Sequence, residues 1–428
     1  MSSASRSAAP VAVTGSGVVS PIGIGTAAFA DAVFAGRSAV RAQTVDLIGL
    51  DVPLVPVAAA DFDAPAVQSP SRIPLDRATA MALAAADEAA RAAGLGDGSV
   101  AGERLGIYWG SGMAGASTFE TTLKTVYVDH RRMRPTSVVT TMPNAPTAEL
   151  AVRFRARGAA LTYACACASS AVAIGEAMRA IRSGAIDVAV VGGSESLLTP
   201  GVVAGWQAMR VLAPIAADAT ADVAARACRP FARDRVGFAL GEAAAAFVLE
   251  SIEHAQARGA AWQWQLAGYA SNCDGVHITQ PDASGQARAM IAALADAGLA
   301  ASDIGYLNAH GTATTAGDAA EAESIARVFG PGGVPVSSTK AIHGHLLGAG
   351  GAVELLAALR ALREGRLPPT ANVDAADPAF AIDLVRSEAR RSTGLAAVMS
   401  NSFAFGGTNA VLIAMRGDRE QSTGESGR

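Results

Sequence analysis

The sequence predicts an α/β fold in which helices cover the faces of largely buried sheets. Apolar strand runs alternate with Ala-rich helices, and no long linker or low-complexity block interrupts them. Hydrophobic residues make up 50% of the 428 residues and charged residues only 17%, so the chain has ample apolar material for a dry core. A rough internal repeat indicates that this core is built from two similar halves.

The elements of the first half follow this alternation in order. A strand, Val11–Thr14, leads into a Gly-rich turn, and an Ala-rich helix, Asp76–Ala93, stops at a glycine. A short strand, Arg104–Trp109, comes next. The helix Ala168–Ser183 then carries its apolar residues on one stripe, and the buried strand Val188–Val191 follows it. Buried strands between helices are typical of helix-covered sheets.

Three features recur in the same order in the second half. A helix ending in AAGL precedes the strand LGIYWGSG, and a helix ending in DAGL precedes IGYLNAHGT. The helix opened by Cys167 is matched by an Ala/Leu-rich helix opened by Lys340–His345, and each half closes with an apolar run containing a Gly-Gly pair. We therefore predict an N-terminal half (1–255), a C-terminal half (256–415) and a polar tail (416–428). Chance similarity of Ala-rich helices is the alternative.

Composition excludes several classes of protein. The net charge of −4 gives no nucleic-acid footprint, and an acidic carrier as partner would need a local basic patch. Four cysteines do not make a disulfide scaffold and predict a reducing compartment, the cytoplasm. The N-terminal Ser/Ala stretch lacks the apolar region of a signal peptide. The long uncharged run 158–175 is too rich in Gly, Thr and Ser for a lipid-facing helix, so we expect no membrane insertion.

Cys167 is the candidate nucleophile. It stands at a predicted helix start before Ala-Ser-Ser-Ala, small residues that allow a substrate to approach closely. Unpaired N–H groups and the helix dipole at this place are expected to lower the pKa of the thiol. The alternative is that Cys167 is a small buried hydrophobe, the usual fate of a free cysteine. Cys165, two residues earlier, shows no sign of reactivity.

Histidine is scarce, and three of the six lie in two Gly-flanked motifs. These are NAHGTAT around His310 and KAIHGH, which contains His343 and His345. A single histidine is more often structural than catalytic, but two such motifs at strand ends favour a functional role. The pair His343 and His345 could also bind a metal, but no third ligand is nearby in sequence, so we predict no metal site.

A thiol and two imidazoles, without a serine elbow or a cofactor motif, suit acyl transfer through a thioester. The loop Phe403-Ala-Phe405-Gly-Gly supplies a backbone N–H for an oxyanion or simply turns the chain. Neutral imidazoles can donate hydrogen bonds to a developing enolate oxygen, as decarboxylating C–C bond formation requires. Lys340 and Glu354 either pair to hold the geometry of His345, or Glu354 is solvated on a helix face.

These residues lie in six motifs that closely resemble the β-ketoacyl-acyl-carrier-protein synthases, the Cys-His-His condensing enzymes of type II fatty-acid and polyketide synthesis. In the family's order the motifs are VAVTGSGVVSPIG, ACASSAVAIGEA, RPFARDRVGFALGEAAAAFVLE, NAHGTATTAGDAAE, SSTKAIHGHLLGAGGAVE and NSFAFGGTN. The resemblance implies a thiolase-like, five-layered αβαβα fold with two duplicated halves. It implies a homodimer, or a heterodimer with a related ketosynthase-like subunit. It also implies that an acyl carrier protein delivers acyl and malonyl groups on its phosphopantetheine arm, with no cofactor bound by the enzyme.

The resemblance further implies a role for each matching residue. Cys167 matches the acyl-accepting nucleophile, and His310 and His345 match the pair that promotes malonyl decarboxylation. The other matches are Lys340 as the supporting lysine, Glu354 as its ion-pair partner, Asp318 as a network residue, the backbone N–H groups of Cys167 and Phe405 as the oxyanion hole, Phe405 with Phe403 as the gate, and Thr312 and Thr314 as contacts of the phosphopantetheine arm.

Three positions depart from the common fatty-acid pattern. His343 stands where threonine is usual, Ala404 replaces a glycine and should stiffen the gating loop, and Trp206 stands where phenylalanine is frequent. These departures favour a polyene or other type II polyketide pathway over housekeeping fatty-acid elongation, which is the alternative. A further alternative is a non-catalytic chain-length subunit. Such subunits typically lack the nucleophile, whereas Cys167 is present here. A thiolase would need a second reactive cysteine near the C-terminus, and no cysteine follows Cys273.

Overall fold

The computed structural model describes residues 9–44, 54–96 and 99–419. The strands, in chain order, are β1 Val11–Ser20, β2 Gly23–Ile24, β3 Arg41–Gln43, β4 Val55–Ala58, β5 Leu105–Gly110, β6 Ala160–Tyr163, β7 Val188–Glu195, β8 Leu240–Gly241, β9 Ala243–Glu250, β10 Trp262–Cys273, β11 Ile304–Asn308, β12 Pro335–Ser337, β13 Arg366–Leu367, β14 Asp383–Leu384, β15 Arg390–Arg391, β16 Ala397–Phe403 and β17 Thr408–Arg419.

The α-helices in the same ranges are α1 Thr26–Ala35, α2 Arg77–Ala93, α3 Ala116–Tyr127, α4 Ser137–Thr141, α5 Ala145–Phe154, α6 Ser169–Arg182, α7 Pro200–Ala208, α8 Ala221–Ala225, α9 Ile252–Ala257, α10 Ala283–Ala297, α11 Thr315–Phe329, α12 Lys340–His343 and α13 Gly350–Glu364.

One continuous mixed sheet runs through the described chain in the order β14-β12-β11-β16-β17-β10-β1-β9-β7-β5-β6, and β2 pairs with β1. The strands of the first half lie at one end and those of the second half at the other. The halves meet where β1 pairs antiparallel with β10, at Val11–Val13 against Trp264–Leu266. Helix-linked strands at each end pair in parallel, as β5 does with β6 and β11 with β12.

Helices pack against both faces of this sheet and between its halves. The helices α6 and α13 lie in the middle layer, in one apolar cluster with inward-facing residues of β1, β9 and β17. The helix α2 covers the outer face of the first half, and α10 and α11 cover that of the second half. Successive strand residues serve opposite layers, since Val190 packs toward α2 and Val191 toward the middle. The predicted α/β architecture with helix-covered sheets is confirmed.

Local signals set the helix ends as the sequence predicts. The side chain of Asp76 accepts a hydrogen bond from the N–H of Ala78 and caps α2, while Gly94 ends the helix in the left-handed conformation with φ of 65°. The described structure includes no helix long and apolar enough to cross a membrane.

Two predicted elements differ from the structure. The helix expected to open at Lys340–His345 is broken, because α12 ends at His343 and Gly344 leaves the helix with φ of 72°. The long helix α13 begins only at Gly350. The predicted tail is also too long, since residues 416–419 continue β17 along β10. The remaining tail residues and residues 1–8 lie outside the described ranges.

The two central helices begin in the same way. A left-handed residue, Ala166 (φ 47°) or Leu347 (φ 48°), precedes Cys167 in the first half and Gly348 in the second. Both left-handed residues sit in short 3₁₀ turns, at 166–168 and 347–349, that lead into α6 and α13. The last turn before each of the two helices therefore follows the same backbone path, and both helices lie in one central layer.

Close packing of the central layer predicts opposite effects for two glycine substitutions. A Cβ at Gly175 in α6 would lie 2.3 Å from ring atoms of Tyr269 on β10. We expect Gly175→Ala to lower the free energy of unfolding by about 1–3 kcal/mol, despite the better helix propensity of alanine.

The matched control is Gly205→Ala in α7, where a Cβ meets nothing within 4 Å. This variant should be neutral or gain up to about 1 kcal/mol. Urea unfolding monitored by circular dichroism measures both changes, and wild-type stability of Gly175→Ala would contradict the packing described for the central layer.

Candidate active site

Cys167 lies at the end of the chain path from β6 into α6, inside the molecule. Its side chain is only 7% exposed. The Sγ atom lies 3.1 Å from Nε2 of His345, and the backbone of Phe405 also hydrogen-bonds the sulfur. The left-handed residue Ala166 turns the chain sharply just before the cysteine. Cys167 is therefore presented to a residue from the second half of the chain, as the sequence repeat suggests.

His345 is held so that one ring nitrogen faces the sulfur. The backbone N–H of Leu347 donates to Nδ1 of His345 over 3.3 Å, which makes Nδ1 the acceptor of the neutral ring. The ring proton then sits on Nε2 and points at Sγ of Cys167. The main chain fixes the ring further, because His345 N donates to the carbonyl of Ala239 and Gly241 N donates to the carbonyl of His345.

His310 stands beside His345 and is oriented by a buried lysine. The two imidazole centroids are 5.4 Å apart, with an angle of 80° between the rings. The ammonium of Lys340 lies 3.4 Å from Nδ1 of His310 and donates to the carbonyl oxygen of His310 over 2.5 Å. An ammonium has only protons to offer, so Nδ1 of His310 is the acceptor and Nε2 carries the proton. Both histidines therefore direct an Nε2–H donor into the same space.

The ammonium of Lys340 is fully buried and forms an ion pair with the carboxylate of Glu354. The two side chains come from α12 and α13, on either side of the break after His343. Pairing compensates for the cost of removing two charges from water. Of the two alternatives for Glu354, the buried pair is therefore correct, and the solvated helix face is not.

Burial and charge keep both imidazoles neutral. The pKa values of His310 and His345 lie well below the usual 6.5, because burial disfavours the charged ring and the nearby Lys340 ammonium opposes a second positive charge. Neutral rings can each donate one hydrogen bond without giving up a proton. This property suits the stabilisation of a developing negative charge on oxygen.

The expectation of a lowered thiol pKa is wrong for the free enzyme. Burial raises the pKa of Cys167 from 9.0 to about 12, and the opposing influence of Lys340 and of the Phe405 N–H is smaller. The helix start alone does not decide the acidity here, because little water remains around the sulfur to solvate a thiolate. Cys167 is therefore a neutral thiol before substrate arrives.

An apolar cavity of about 340 Å³ leads to these residues. Cys167, His310 and His345 line its inner end, and Thr312, Thr314 and Phe405 line it as well. The hydroxyl groups of Thr312 and Thr314 are 2.9 Å apart.

An aromatic stack forms part of the cavity wall. The indole of Trp206 stacks on the ring of Phe405, with centroids 6.1 Å apart, and meets Phe238 edge to face at 5.7 Å. Phe238 in turn packs edge to face on His345 at 5.1 Å. Phe403 ends β16, and its ring centroid lies 6.3 Å from that of His310. The structure thus brings both predicted gate residues to the reacting groups.

Some predicted residues lie outside the reacting centre. His343 is buried, with Nε2 2.9 Å from the hydroxyl of Thr339 and Nδ1 2.8 Å from the carbonyl oxygen of Gly344. The described residues that could together ligate an ion are instead Cys167, His310 and His345, whose ligand atoms lie within 4.8 Å of one another. The metal pair of His343 and His345 considered for this motif is therefore not formed.

Two buried carboxylates hold the loop that carries His310. Asp318 accepts from the backbone N–H groups of Phe231 and Ala313. Glu321, which the sequence analysis did not single out, accepts from the backbone N–H groups of His310 and Gly311 over 2.8 and 2.6 Å. Its spacing of three residues from Asp318, on the same helix face, was the available signal.

The raised pKa of Cys167 predicts the pH dependence of its alkylation by iodoacetamide. Only the thiolate reacts, so the rate constant for Cys167 should increase about tenfold per pH unit between roughly pH 7 and 10, without a plateau. Peptide mass spectrometry measures the modification at Cys167, and the exposed Cys273 reports reagent access on the same chain. A plateau near pH 8 would show that the thiol is far more acidic than its burial implies.

Comparisons with known proteins agree with this site. The chain matches the family Beta-ketoacyl synthase, N-terminal domain, over residues 8–255 and Beta-ketoacyl synthase, C-terminal domain, over residues 265–374. It is 39% identical to Nodulation protein E of Rhizobium leguminosarum bv. trifolii over 94% of this chain and 98% of that protein. It is 38% identical to 3-oxoacyl-[acyl-carrier-protein] synthase 2 of Staphylococcus aureus over 79% of this chain and 84% of that protein.

Among solved structures, the ishigamide ketosynthase/chain length factor superposes with a TM-score of 0.86 at 30% identity, covering 96% of this chain and 99% of that one. The thiolase-like fold is thereby confirmed, and so is a condensing acyltransferase activity. The chain, which brings a thiol and two neutral imidazoles to one cavity and a buried lysine behind them, therefore belongs to the β-ketoacyl synthase family.

Proposed function

We propose that this enzyme transfers an acyl chain from an acyl carrier protein to Cys167 and condenses it with a malonyl group on the carrier by a decarboxylative Claisen reaction. The observation that supports this proposal most directly is that the Cys167 sulfur and nitrogen atoms of His310 and His345 lie within 4.8 Å of one another. We further propose that the reaction belongs to a polyene or other type II polyketide pathway.

In the first half-reaction the sulfur of Cys167 attacks the thioester carbonyl of the loaded carrier. A new C–S bond forms, the bond to the phosphopantetheine sulfur breaks, and the thiol proton leaves with that sulfur. Negative charge develops on the carbonyl oxygen, and the backbone N–H groups of Cys167 and Phe405 are the donors that we propose for it, since the backbone of Phe405 already hydrogen-bonds the sulfur. The Nε2–H of His345 favours the thiolate at the moment of attack.

In the second half-reaction the thioester oxygen of the malonyl group accepts hydrogen bonds from Nε2–H of His310 and His345. Loss of carbon dioxide leaves an enolate, whose carbon attacks the acyl carbonyl and releases Cys167. Two neutral donors stabilise the enolate oxygen without protonating it. Lys340 supports this step by holding the tautomer of His310, and its charge adds to burial in keeping both rings uncharged.

Two features of the chain suit the binding of the carrier protein and its phosphopantetheine arm. The adjacent hydroxyl groups of Thr312 and Thr314 line the cavity, where they suit the amide groups of a phosphopantetheine arm. Arg131, Arg132 and Arg134 are all exposed on one short segment of a chain whose net charge is −4. This segment is the local basic patch that an acidic carrier requires.

A second subunit, either a copy of this chain or a related ketosynthase-like chain, would cover the free edge of the sheet at β6. The first residues of that strand are exposed, including Leu161, and an edge strand offers unpaired backbone groups to another strand. Phe119, Val138 and Met142 expose further apolar surface in the neighbouring helical segment. Exposed apolar residues of this number favour a protein–protein interface.

The choice of pathway rests on the cavity wall. The stack of Trp206 on Phe405 gives a flat aromatic surface beside the nucleophile, where a rigid conjugated chain packs better than a flexible saturated one. A backbone bond from the N–H of Ala404 to the carbonyl of Thr408, over 2.8 Å, closes the loop that carries Phe405, and alanine at 404 restricts the backbone of this loop more than glycine would. The similarity to a ketosynthase that pairs with a chain length factor supports the same choice.

Substitution of the nucleophile tests the first half-reaction. After incubation with an acyl-loaded carrier, intact-mass spectrometry should detect an acyl adduct on the wild-type chain and on Cys165→Ala, but none on Cys167→Ala. Cys165 is the matched control because it lies two residues away in the same segment and is half buried. An adduct that persists on Cys167→Ala would refute the assignment.

Substitution of Trp206 tests the pathway. We expect the wild-type enzyme, assayed with candidate partner subunits, to prefer a polyunsaturated over a saturated acyl carrier of equal length. Loss of the stack in Trp206→Ala should reduce this preference in kcat/KM by about 2- to 10-fold, the value of one aromatic contact. Trp206→Phe keeps a ring and should keep most of the preference. A wild-type preference for saturated chains would favour fatty-acid elongation instead.

A further inference from the structure

Glu195 is a buried carboxylate that the proposed reaction does not use. It ends β7 and has no exposed surface. Four donors reach it. Its Oε1 accepts from the hydroxyl of Ser111 and the N–H of Met113, each over 3.1 Å, and its Oε2 accepts from the N–H of Gly112 over 2.6 Å and from that of Gly348 over 3.2 Å.

The carboxylate joins two chain segments that are distant in sequence. Ser111–Met113 follow β5 in the first half, whereas Gly348 lies three residues after His345 in the second. The segments cross so closely that a Cβ on Gly348 would lie 2.4 Å from the nitrogen of Gly112 and 2.5 Å from Oε2 of Glu195. Oε2 therefore sits between two backbone N–H groups that would otherwise face each other.

The hydrogen bond from Gly348 to Glu195 affects His345 through Leu347, the residue before Gly348. Leu347, next to Gly348, is held in the left-handed conformation with φ of 48°, which is uncommon for a branched side chain. This conformation aims the N–H of Leu347 at Nδ1 of His345. Release of Gly348 would let Leu347 relax, and His345 would lose the donor that keeps its proton on Nε2.

We propose that Glu195 is a positioning residue for the condensation step, because its carboxylate fixes the turn after His345 and thereby the tautomer that presents Nε2–H to the substrate. The inference rests on the proposed function of this site. It assigns Glu195 no contact with substrate. Burial raises the pKa of Glu195 to about 7 even though four donors oppose this, so the group is mostly ionised only above neutral pH and is held at this crossing at a cost in free energy.

Partial reactions of three variants test the role. Glu195→Leu removes both acceptor oxygens, so all four donors lose their partner, and it should lower kcat for decarboxylation of the malonyl-loaded carrier about 10- to 100-fold. Glu195→Gln can place its amide oxygen on the side of Gly112 and Gly348 and should restore most of the rate. Glu250→Leu is the matched control, since Glu250 is equally buried and bonds Thr14, His254 and Arg258, away from the cavity. It should decarboxylate at nearly the wild-type rate.

Iodoacetamide alkylation of Cys167 separates positioning from general damage. Burial is the main cause of the raised pKa of the Cys167 thiol, and the negative charge of Glu195 adds a small contribution, so replacement of Glu195 by leucine should leave alkylation unchanged or faster. Nitrogen-15 spectra of the six histidine rings should show His345 as the Nε2–H tautomer in the wild type and as a mixture in Glu195→Leu. Wild-type decarboxylation by Glu195→Leu, an equal fall in alkylation, or an Nδ1–H tautomer in the wild type would overturn the proposal.

A replacement variant and the activity of the wild-type enzyme distinguish the possible reasons for a negative result. If Glu195→Leu does not fold, Gly348→Ala takes its place, because the added Cβ separates the turn from the carboxylate without removing the charge. It should show the same selective loss of decarboxylation, and wild-type decarboxylation by this variant would likewise overturn the proposal. A wild-type enzyme that cannot decarboxylate the malonyl carrier would refute the proposed function itself, whereas an active wild type with unaffected variants refutes only the role of Glu195.

Discussion

The buried ammonium of Lys340 is the charge on which the reacting centre depends. It has no access to water, so its stability comes from the carboxylate of Glu354 and the carbonyl oxygen of His310. Its proximity to Nδ1 sets the tautomer of His310, and its charge adds to burial in lowering the pKa values of His310 and His345, so that both rings stay neutral. One ion pair thus selects the donor atom of His310 and helps to keep both rings uncharged.

Carboxylates that never meet substrate position the rest of the site. Glu321 holds the backbone of His310, Asp318 holds the following loop, and Glu195 holds the turn after His345. Each accepts backbone N–H groups of loops, which have no partners from regular secondary structure. Buried acceptors of this kind give loops the rigidity that strands and helices obtain from their own hydrogen bonds, and the reacting groups sit on loops.

The sequence predicts which segments form helices and strands better than it predicts the contacts between segments that are distant in the chain. The helix at 77–93 is specified by Asp76 and Gly94, both of which act locally. The break between His343 and Gly350 was missed, because it depends on backbone bonds to Ala239 and Gly241, which are distant in sequence. Motifs identified Cys167 and His345, but the raised pKa of the thiol follows from burial by many chain segments, which no local pattern encodes.

Glu195 and Glu321 were missed for a related reason. Each looks in the sequence like one acidic residue at the end of a strand or on a helix, and its donors become visible only when loops from elsewhere close around it. The pairing of Lys340 with Glu354 stayed open at the sequence level because α12 and α13 are separate helices with a turn between them. Spacing along a single helix could not decide it.

The join between the two halves of the molecule has a consequence for how substrates enter. Strands β1 and β10 share backbone hydrogen bonds, and the ring of Tyr269 from the second half packs on Gly175 in the middle layer of the first. A clamshell motion about a hinge would have to break that ladder and open the dry interior. Substrates therefore reach the sulfur through the existing cavity, part of whose wall is the loop at 403–407, and any widening of this route falls to that loop rather than to a separation of the two halves.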